Sequence, residues 1–192
     1  HLWQIDELRH LGAKTVTVVL GGDFSQRGRP AAFSKFTRAR AALLNGADLV
    51  LELPLPWCAA SAEGFARGGI ALLAGIGCID TLSFGAECAD AVVLQQLSRL
   101  FQQSSFDAAL KTELSRGVSY PAARAAAAEN FLPNSSTALN GANNILGIEY
   151  LAACRALHFA PQLAVLPRQG AAHDATLEQD GFASASALRE AL

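Results

Sequence analysis

Methionine is absent from this 192-residue chain, which opens on His1. A natural reading frame begins with methionine, so the sequence predicts a piece of a longer product. No stretch approaches the ~18 uninterrupted apolar residues of a membrane-spanning helix, and the start lacks the basic residues and apolar run of a signal peptide. A cytoplasmic protein with no membrane partner is the expectation. The four cysteines, Cys58, Cys78, Cys88 and Cys154, contain no CxxC pair. That excludes the usual sequence patterns of a zinc site or a redox motif; the thiols read as small apolar residues, and no metal-ligand set is expected. Charge of one sign is scarce as well. A net charge of -2 argues against a surface coated for nucleic acid, so any basic surface has to be local. What remains is 51% hydrophobic residues over the length of one full domain, a globular composition with a sizeable core.

The pattern along the chain alternates. Leu2, Ile5, Leu8 and Leu11 recur every three residues and predict a short helix stopped by Gly12. "TVTVVL" (15–20) is a β-branched run closed by Gly21 and Gly22, a buried strand. Ser34 can cap a helix running to about Asn45, with Gly46 as its stop. "ADLVLELP" predicts the next strand, "SAEGFARGGIALLAGIG" a helix, "IDTLSF" a strand ending at Gly85, and residues near Asp90 to Gln103 a helix. From 105 to 130 the pattern is helical with no strand, broken by Gly117 and Pro121, and reads as a helical insertion. "LPNSSTALNGANN" predicts a polar loop, "ILGIEYLAACRAL" a helix and "QLAVLP" (162–167) a last strand, before a loop and a helix capped by Ser184 or Ser186. The reading is a single α/β domain over 1–192 with a mainly parallel sheet.

Ligands of open α/β sheets sit beyond the carboxyl ends of the strands, which singles out Gly21 to Gly28, Phe84 to Glu87, Arg168 to Asp174 and Ser184 to Ser186. "GGDFSQRG" can cradle phosphate through backbone N–H groups and Arg27, or serve as an ordinary strand-to-turn segment; it has neither GxxxxGK[ST] nor GxGxxG. Arg38 and Arg40 read as a solvated helix face. In "FGAE", Gly85 at a strand end leaves room for a flat base or ribose, or is a plain turn. Asn143 and Asn144 open a helix and can either cap it or bind the polar edge of a base. "PRQGAAHD" joins Arg168 to His173 in a loop after a strand, and "SASALR" offers hydroxyls, N–H groups and Arg189 at a helix start, an anion site or simply a cap.

Taken in order, "GGDFSQRGRPAAFSKFTRARAALLNGADLVLELP", "SAEGFARGGIALLAGIGCIDTLSFGAE", "NNILGIEYL" and "SASALR" resemble the bacterial tRNA(Met) cytidine acetate ligase family of the HIGH-signature nucleotidyltransferase superfamily. The resemblance runs from His1 to the end of the chain. It implies a Rossmann-like nucleotidyltransferase domain that joins acetate to ATP as acetyl-adenylate, with Mg²⁺ accompanying the nucleotide, and passes the acetyl group to N4 of the wobble cytidine of elongator tRNA(Met). It further implies that His1 is the last residue of the HxGH element, and that Gly85, Asn143 or Asn144, and Arg168 contact ATP. Ser184, Ser186 and Arg189 would hold the place of the serine-rich phosphate signature. Arg27 and Lys35, from charge and place, are assigned to phosphate or RNA. The family's first strand and the start of HxGH would lie before His1 and a further region after Leu192, so the chain alone is expected to lack turnover. Two other readings stay open: another adenylyl- or cytidylyltransferase of the superfamily, and a nucleotide- or RNA-binding module without turnover.

Overall fold

The computed structural model describes residues 2–26 and 28–168, which fall into two compact units, one made of the residues up to Ile79 together with Arg168 and the other spanning Asp80–Pro167. In the first unit, helix α1 (Leu2–His10) precedes strand β1 (Thr17–Gly21), helix α2 (Lys35–Leu44), strand β2 (Leu49–Leu53) and helix α3 (Ala62–Ile76). Strands β1 and β2 pair in parallel from Thr17 with Leu49 to Gly21 with Leu53, and α2 is the crossover between them. Ile5, Val16 and Ala47 form the core there, with Leu8, Ala13, Val18, Ala42 and Val50 packed around it. The helix ends follow the sequence signals. Ser34 accepts the Thr37 N–H at 3.1 Å and starts α2, while Gly12 and Gly46 take the left-handed conformation (φ 97° and 96°) that lets the chain leave α1 and α2.

One polar knot ties this unit together. Asp48 Oδ2 accepts the Val16 N–H and an Arg9 guanidinium N–H, both at 2.6 Å, and Arg9 also donates to the carbonyls of Ala13, Lys14 and Gly46. The end of α1, the approach to β1 and the approach to β2 are therefore held by a single ion pair and its hydrogen bonds.

The second unit pairs strand β3 (Thr81–Ala86) in parallel with β4 (Gln162–Pro167), from Thr81 with Gln162 to Ala86 with Pro167. Between them run helices α4 (Ala91–Leu100), α5 (Ser104–Leu114), α6 (Tyr120–Glu129) and α7 (Ala142–Ala156). The stretch read as helical from 105 to 130 forms the α5–α6 hairpin, with Gly117 (φ 79°) at its turn and Pro121 in the first turn of α6. Helix α7 buries Asn144, Gly147, Ile148, Leu151 and Cys154, spaced by three and four residues, and packs against β3 and α4. Asp90 caps α4 by accepting the N–H groups of Val92 and Val93. Ser98 donates to the Ile148 carbonyl at 2.9 Å and accepts from Arg155, which ties α4 to α7 at a buried polar point.

The sequence anticipates one mainly parallel sheet. Among the described residues the strands form two parallel pairs, β1–β2 and β3–β4. Helix α7 begins at Ala142, three residues before the expected Ile145, because its first turn takes its hydrogen-bond partner from outside the helix. Cys58 and Cys154 are buried as expected, and burial pushes the Cys154 thiol up to about 11; Cys88 is half-buried and Cys78 exposed.

Two predictions follow from the packing. A methyl group on Gly147 would lie 2.5 Å from Cε2 of the buried Phe84 ring. Gly147→Ala therefore sets a helix-propensity gain of about 1 kcal/mol against an overpacking cost of about 1–3 kcal/mol, for a net loss of up to about 2 kcal/mol in urea unfolding. A more stable variant would show that Phe84 yields its place readily. The second concerns acid. Hydrogen bonds from Val16 and Arg9 hold the Asp48 carboxyl below its ordinary 3.8. A carboxyl depressed by folding stabilises the fold above its unfolded value and loses that contribution as pH falls through its folded value. Asp48→Asn should be less stable than the parent at pH 7, and the two urea midpoints should converge as the pH falls through the depressed folded-state value of this carboxyl.

Candidate functional site

Strand β3 buries Leu82, Phe84 and Ala86 on one face, so period-two alternation puts Gly85 on the other. Phe84 packs on Tyr150 of α7 with ring centroids 5.6 Å apart, whereas a Cβ built on Gly85 would meet no described atom within 4 Å. Among the described residues the face of β3 at Gly85 is thus open. Its register partner in β4 is Leu166, and Arg168 follows one residue after the last pair, Ala86 with Pro167.

Just beyond Gly85, the Glu87 side chain meets the start of α7. Gly141 provides no side-chain cap for that helix, which leaves first-turn N–H groups to be satisfied from elsewhere. Glu87 Oε1 accepts the Asn143 backbone N–H at 3.3 Å and the Asn143 side-chain amide at 2.7 Å; Oε2 accepts the Asn144 N–H at 3.0 Å. A negative charge at this end also suits the helix dipole. Burial pushes the Glu87 carboxyl up, but the bonds from Asn143 and Asn144 outweigh it and hold the group below its ordinary 4.5. Gly141 leaves room for the same approach, since a Cβ there would displace the Glu87 carboxylate.

The two asparagines, equivalent in the sequence, differ in the structure. Asn144 is 1% exposed; its Oδ1 accepts the Cys88 N–H at 2.9 Å, and its Nδ2 has no partner among the described residues. Asn143 is half-buried, with one amide hydrogen committed to Glu87. Neither side chain caps its own helix.

In the first unit, the expected phosphate loop after β1 folds on itself. Phe24 and Pro30 form an antiparallel bridge, Ser25 and Gly28 donate to Arg29 and Ser25 carbonyls, and Ala31 donates to Asp23. Lys35 at the start of α2 donates to both oxygens of Glu52 at 2.9 and 3.0 Å and lies 3.6 Å from Asp23, so its ammonium is held above the ordinary 10.5, mainly by the Glu52 hydrogen bond. A Cβ at Gly22 would sit 2.6 Å from Glu52 Oε1, so a side chain there would push that carboxylate aside. Arg38 departs from its expected role as a solvated face, because its guanidinium donates to the carbonyls of Phe33 and Gly22 and latches the loop to α2. Arg40 is exposed, as expected.

Of the residues singled out from sequence, Gly85, Asn143 and Asn144 flank the end of β3, Arg168 follows β4, and Lys35 belongs to the first unit. His1, Arg27, His173, Ser184, Ser186 and Arg189 lie outside the described residues. Glu87 closes the motif "FGAE", and nothing local in the sequence gives it a role. A helix that opens on Gly-Ala without Ser, Thr or Asp is the one signal that an external acceptor was needed. Among the described residues no group of three or more His, Cys, Asp and Glu side chains is placed to hold a metal ion, and no helix is long and apolar enough to cross a membrane.

The different burial of the two asparagines gives a clean contrast. Asn144→Ala empties a buried position and leaves the half-buried Cys88 N–H without its acceptor, and should cost about 1–3 kcal/mol in urea unfolding. Asn143→Ala, at a half-exposed position, should cost less than about 1 kcal/mol. Equal losses would mean that both amides serve the fold alike.

Comparison with known proteins matches this geometry to a family. The family model for HIGH Nucleotidyl Transferase matches residues 1–192. The chain is 37% identical to the tRNA(Met) cytidine acetate ligase of Thermosipho africanus, with 100% of this chain and 47% of that protein covered. It is 42% identical to the ligase of the same name from Acetivibrio thermocellus over 81% of this chain and 39% of that one. The chain thus spans about half the length of the curated relatives it matches. Among solved structures, Thermotoga maritima TmcAL in its apo form superposes with a TM-score of 0.92 at 33% identity, over 99% of this chain and 47% of that chain. The same protein bound with alpha-thio ATP superposes with a TM-score of 0.87 at 32% identity, over 99% and 46%. The α/β fold, the strand ends and the match along the whole chain have one conclusion: this chain belongs to the HIGH nucleotidyltransferase family.

Proposed function

We propose that residues 1–192 are the nucleotidyltransferase domain of an ATP-dependent ligase of the cytoplasm, which activates acetate as acetyl-adenylate and acetylates N4 of the wobble cytidine of elongator tRNA(Met). The observation that carries the reading is the similarity, over 99% of this chain, to a TmcAL structure that holds alpha-thio ATP. The site supports it independently, through a strand end with an open flank at Gly85 beside a helix start whose Asn143 amide is half-exposed.

The chemistry is two displacements. An acetate oxygen attacks the α-phosphorus of ATP and pyrophosphate leaves; the cytidine N4 amine then attacks the acetyl carbonyl carbon and AMP leaves. The first step is limited by charge on the phosphates, so positioning and cations dominate it. In this reading the adenosine lies on the side-chain-free flank of Gly85, the half-buried Asn143 amide rather than the buried Asn144 offers a hydrogen bond to its polar edge, and the planar fork of Arg168 grips the nucleotide. Lys35 reaches a phosphate or the RNA backbone by exchanging Glu52 for it, and Arg27 belongs to the same role. His1, Ser184, Ser186 and Arg189 take phosphate-facing places by their position in the family pattern. Mg²⁺ needs no protein cage, since it is commonly bound through substrate phosphates and water.

The test uses the complete gene product. Labelled pyrophosphate should exchange into ATP only when acetate is present, and mass spectrometry of digested tRNA should find N4-acetylcytidine at the wobble position of elongator tRNA(Met). Exchange driven by a phosphate ester or a vitamin precursor instead of acetate would move the chain to another nucleotidyltransferase activity, and ATP binding without pyrophosphate release would make it a binding module. Gly85→Val gives the structural arm. Valine suits a strand and finds room on the open flank, so the circular dichroism should stay native while calorimetric ATP binding is lost. Unchanged affinity would remove Gly85 from the site.

A further inference from the structure

The Glu87 carboxylate does more than finish a helix. An ionised carboxylate only accepts hydrogen bonds, so the Asn143 group facing Oε1 at 2.7 Å has to be the amide nitrogen. The planar carboxamide then turns its Oδ1 away from Glu87. A free asparagine side chain interconverts two orientations that differ only by exchange of oxygen and nitrogen; here the partner selects one. The backbone N–H groups of Asn143 and Asn144 on the same two carboxylate oxygens keep Glu87 from turning aside, and the Cys88 N–H to Asn144 bond anchors the segment that carries it.

We infer that Glu87 is a positioning residue that sets the orientation of the Asn143 amide, and through it the preference of the site for a purine bearing a 6-amino group over one bearing a 6-oxo group. The inference rests on the reading of Asn143 as a nucleotide contact. With Oδ1 outward, the amide accepts a hydrogen from the exocyclic amine of adenine. A 6-oxo purine presents an acceptor at the same place, and two acceptors facing each other leave both without a partner. Sites built to hydrogen-bond a substrate group discriminate strongly for this reason. If Asn143 were free to rotate, its Nδ2 would serve the 6-oxo group as well as Oδ1 serves the 6-amino group, and the preference would fade.

The experiment compares ATP with inosine triphosphate in acetate-dependent pyrophosphate exchange by the complete gene product, read as the ratio of the two kcat/KM values. The parent should favour ATP. Glu87→Gln is nearly isosteric, yet its own amide can donate to Asn143 or accept from it, so it no longer dictates the orientation; the ratio should fall by about tenfold or more, the scale of one hydrogen bond to a buried or charged partner. A loss of packing alone would lower both kcat/KM values together and leave the ratio in place. Asn143→Ala supplies a second route that does not depend on the folding of a Glu87 variant. It removes the amide and should collapse the ratio to a similar value, with no further change when Glu87→Gln is added. A parent enzyme that does not discriminate, or a Glu87→Gln variant that keeps the parental ratio while Asn143→Ala loses it, overturns the positioning role. Unchanged rates with both nucleotides in Asn143→Ala would instead remove Asn143 from the nucleotide site, and the inference with it.

Discussion

One carboxylate organises the end of β3. Glu87 follows the strand by a single residue and satisfies the N–H groups of Asn143 and Asn144 at the head of α7, fifty-six and fifty-seven residues away in sequence. Helix α7 packs against β3 and α4, so the angle at which it starts governs the packing of Ile148 and Leu151 further along. A helix start buried without a partner is costly, and capping by a distant acid makes that cost conditional on the strand being in place. The strand end, the helix start and the asparagine that faces outward are therefore one cooperative unit rather than three separate features.

The first unit uses cations for the same purpose. Its basic residues suggest a surface facing an anion, yet Arg9 is drawn to Asp48 and three carbonyls, Arg38 to two carbonyls, and Lys35 to Glu52. A guanidinium forks to several acceptors at once, which makes it suited to tying loops together. The near-neutral chain is consistent with this economy. Lys35 is the exception in kind. It is a single ammonium between carboxylates at the surface, where pairs contribute little net stability, so exchange of its partner for a phosphate is the cheapest of these rearrangements.

What the sequence made legible is what local chemistry decides. The β-branched run before Gly21, the Ser34 and Asp90 caps, the Gly12 and Gly46 stops and the helical hairpin between 105 and 130 all appear close to where periodicity and capping put them. The resemblance supplied the family, and the match over 1–192 agrees with it. The misses share a cause. Arg38, Glu52, Asp48 and Glu87 act on partners between sixteen and fifty-seven residues away, and no local pattern distinguishes such a residue from a solvated charge. The start of α7 was misplaced for the same reason: its cap is in another part of the chain. Asn143 and Asn144 look alike in a sequence, and only burial separates the amide that holds Cys88 from the one that faces outward.

The strand itself explains how one segment can serve both fold and site. Alternation gives β3 two faces, and the sequence "TLSFGA" spends its large apolar groups, Leu82 and Phe84, on the face that α7 covers. The contact there is tight: the Phe84 ring leaves no room for a side chain at Gly147, so the backbone of α7 packs directly on that ring. On the other face the residue between Phe84 and Ala86 is a glycine with empty space above it. A larger residue at Gly85 would be tolerated by the fold, since nothing described lies in its way. The missing side chain is thus unexplained by packing, whereas the missing side chain at Gly147 is explained by packing entirely. Among the described residues Phe84 demands a glycine at position 147 and nothing demands one at position 85, so β3 has one face fixed by packing and one left open.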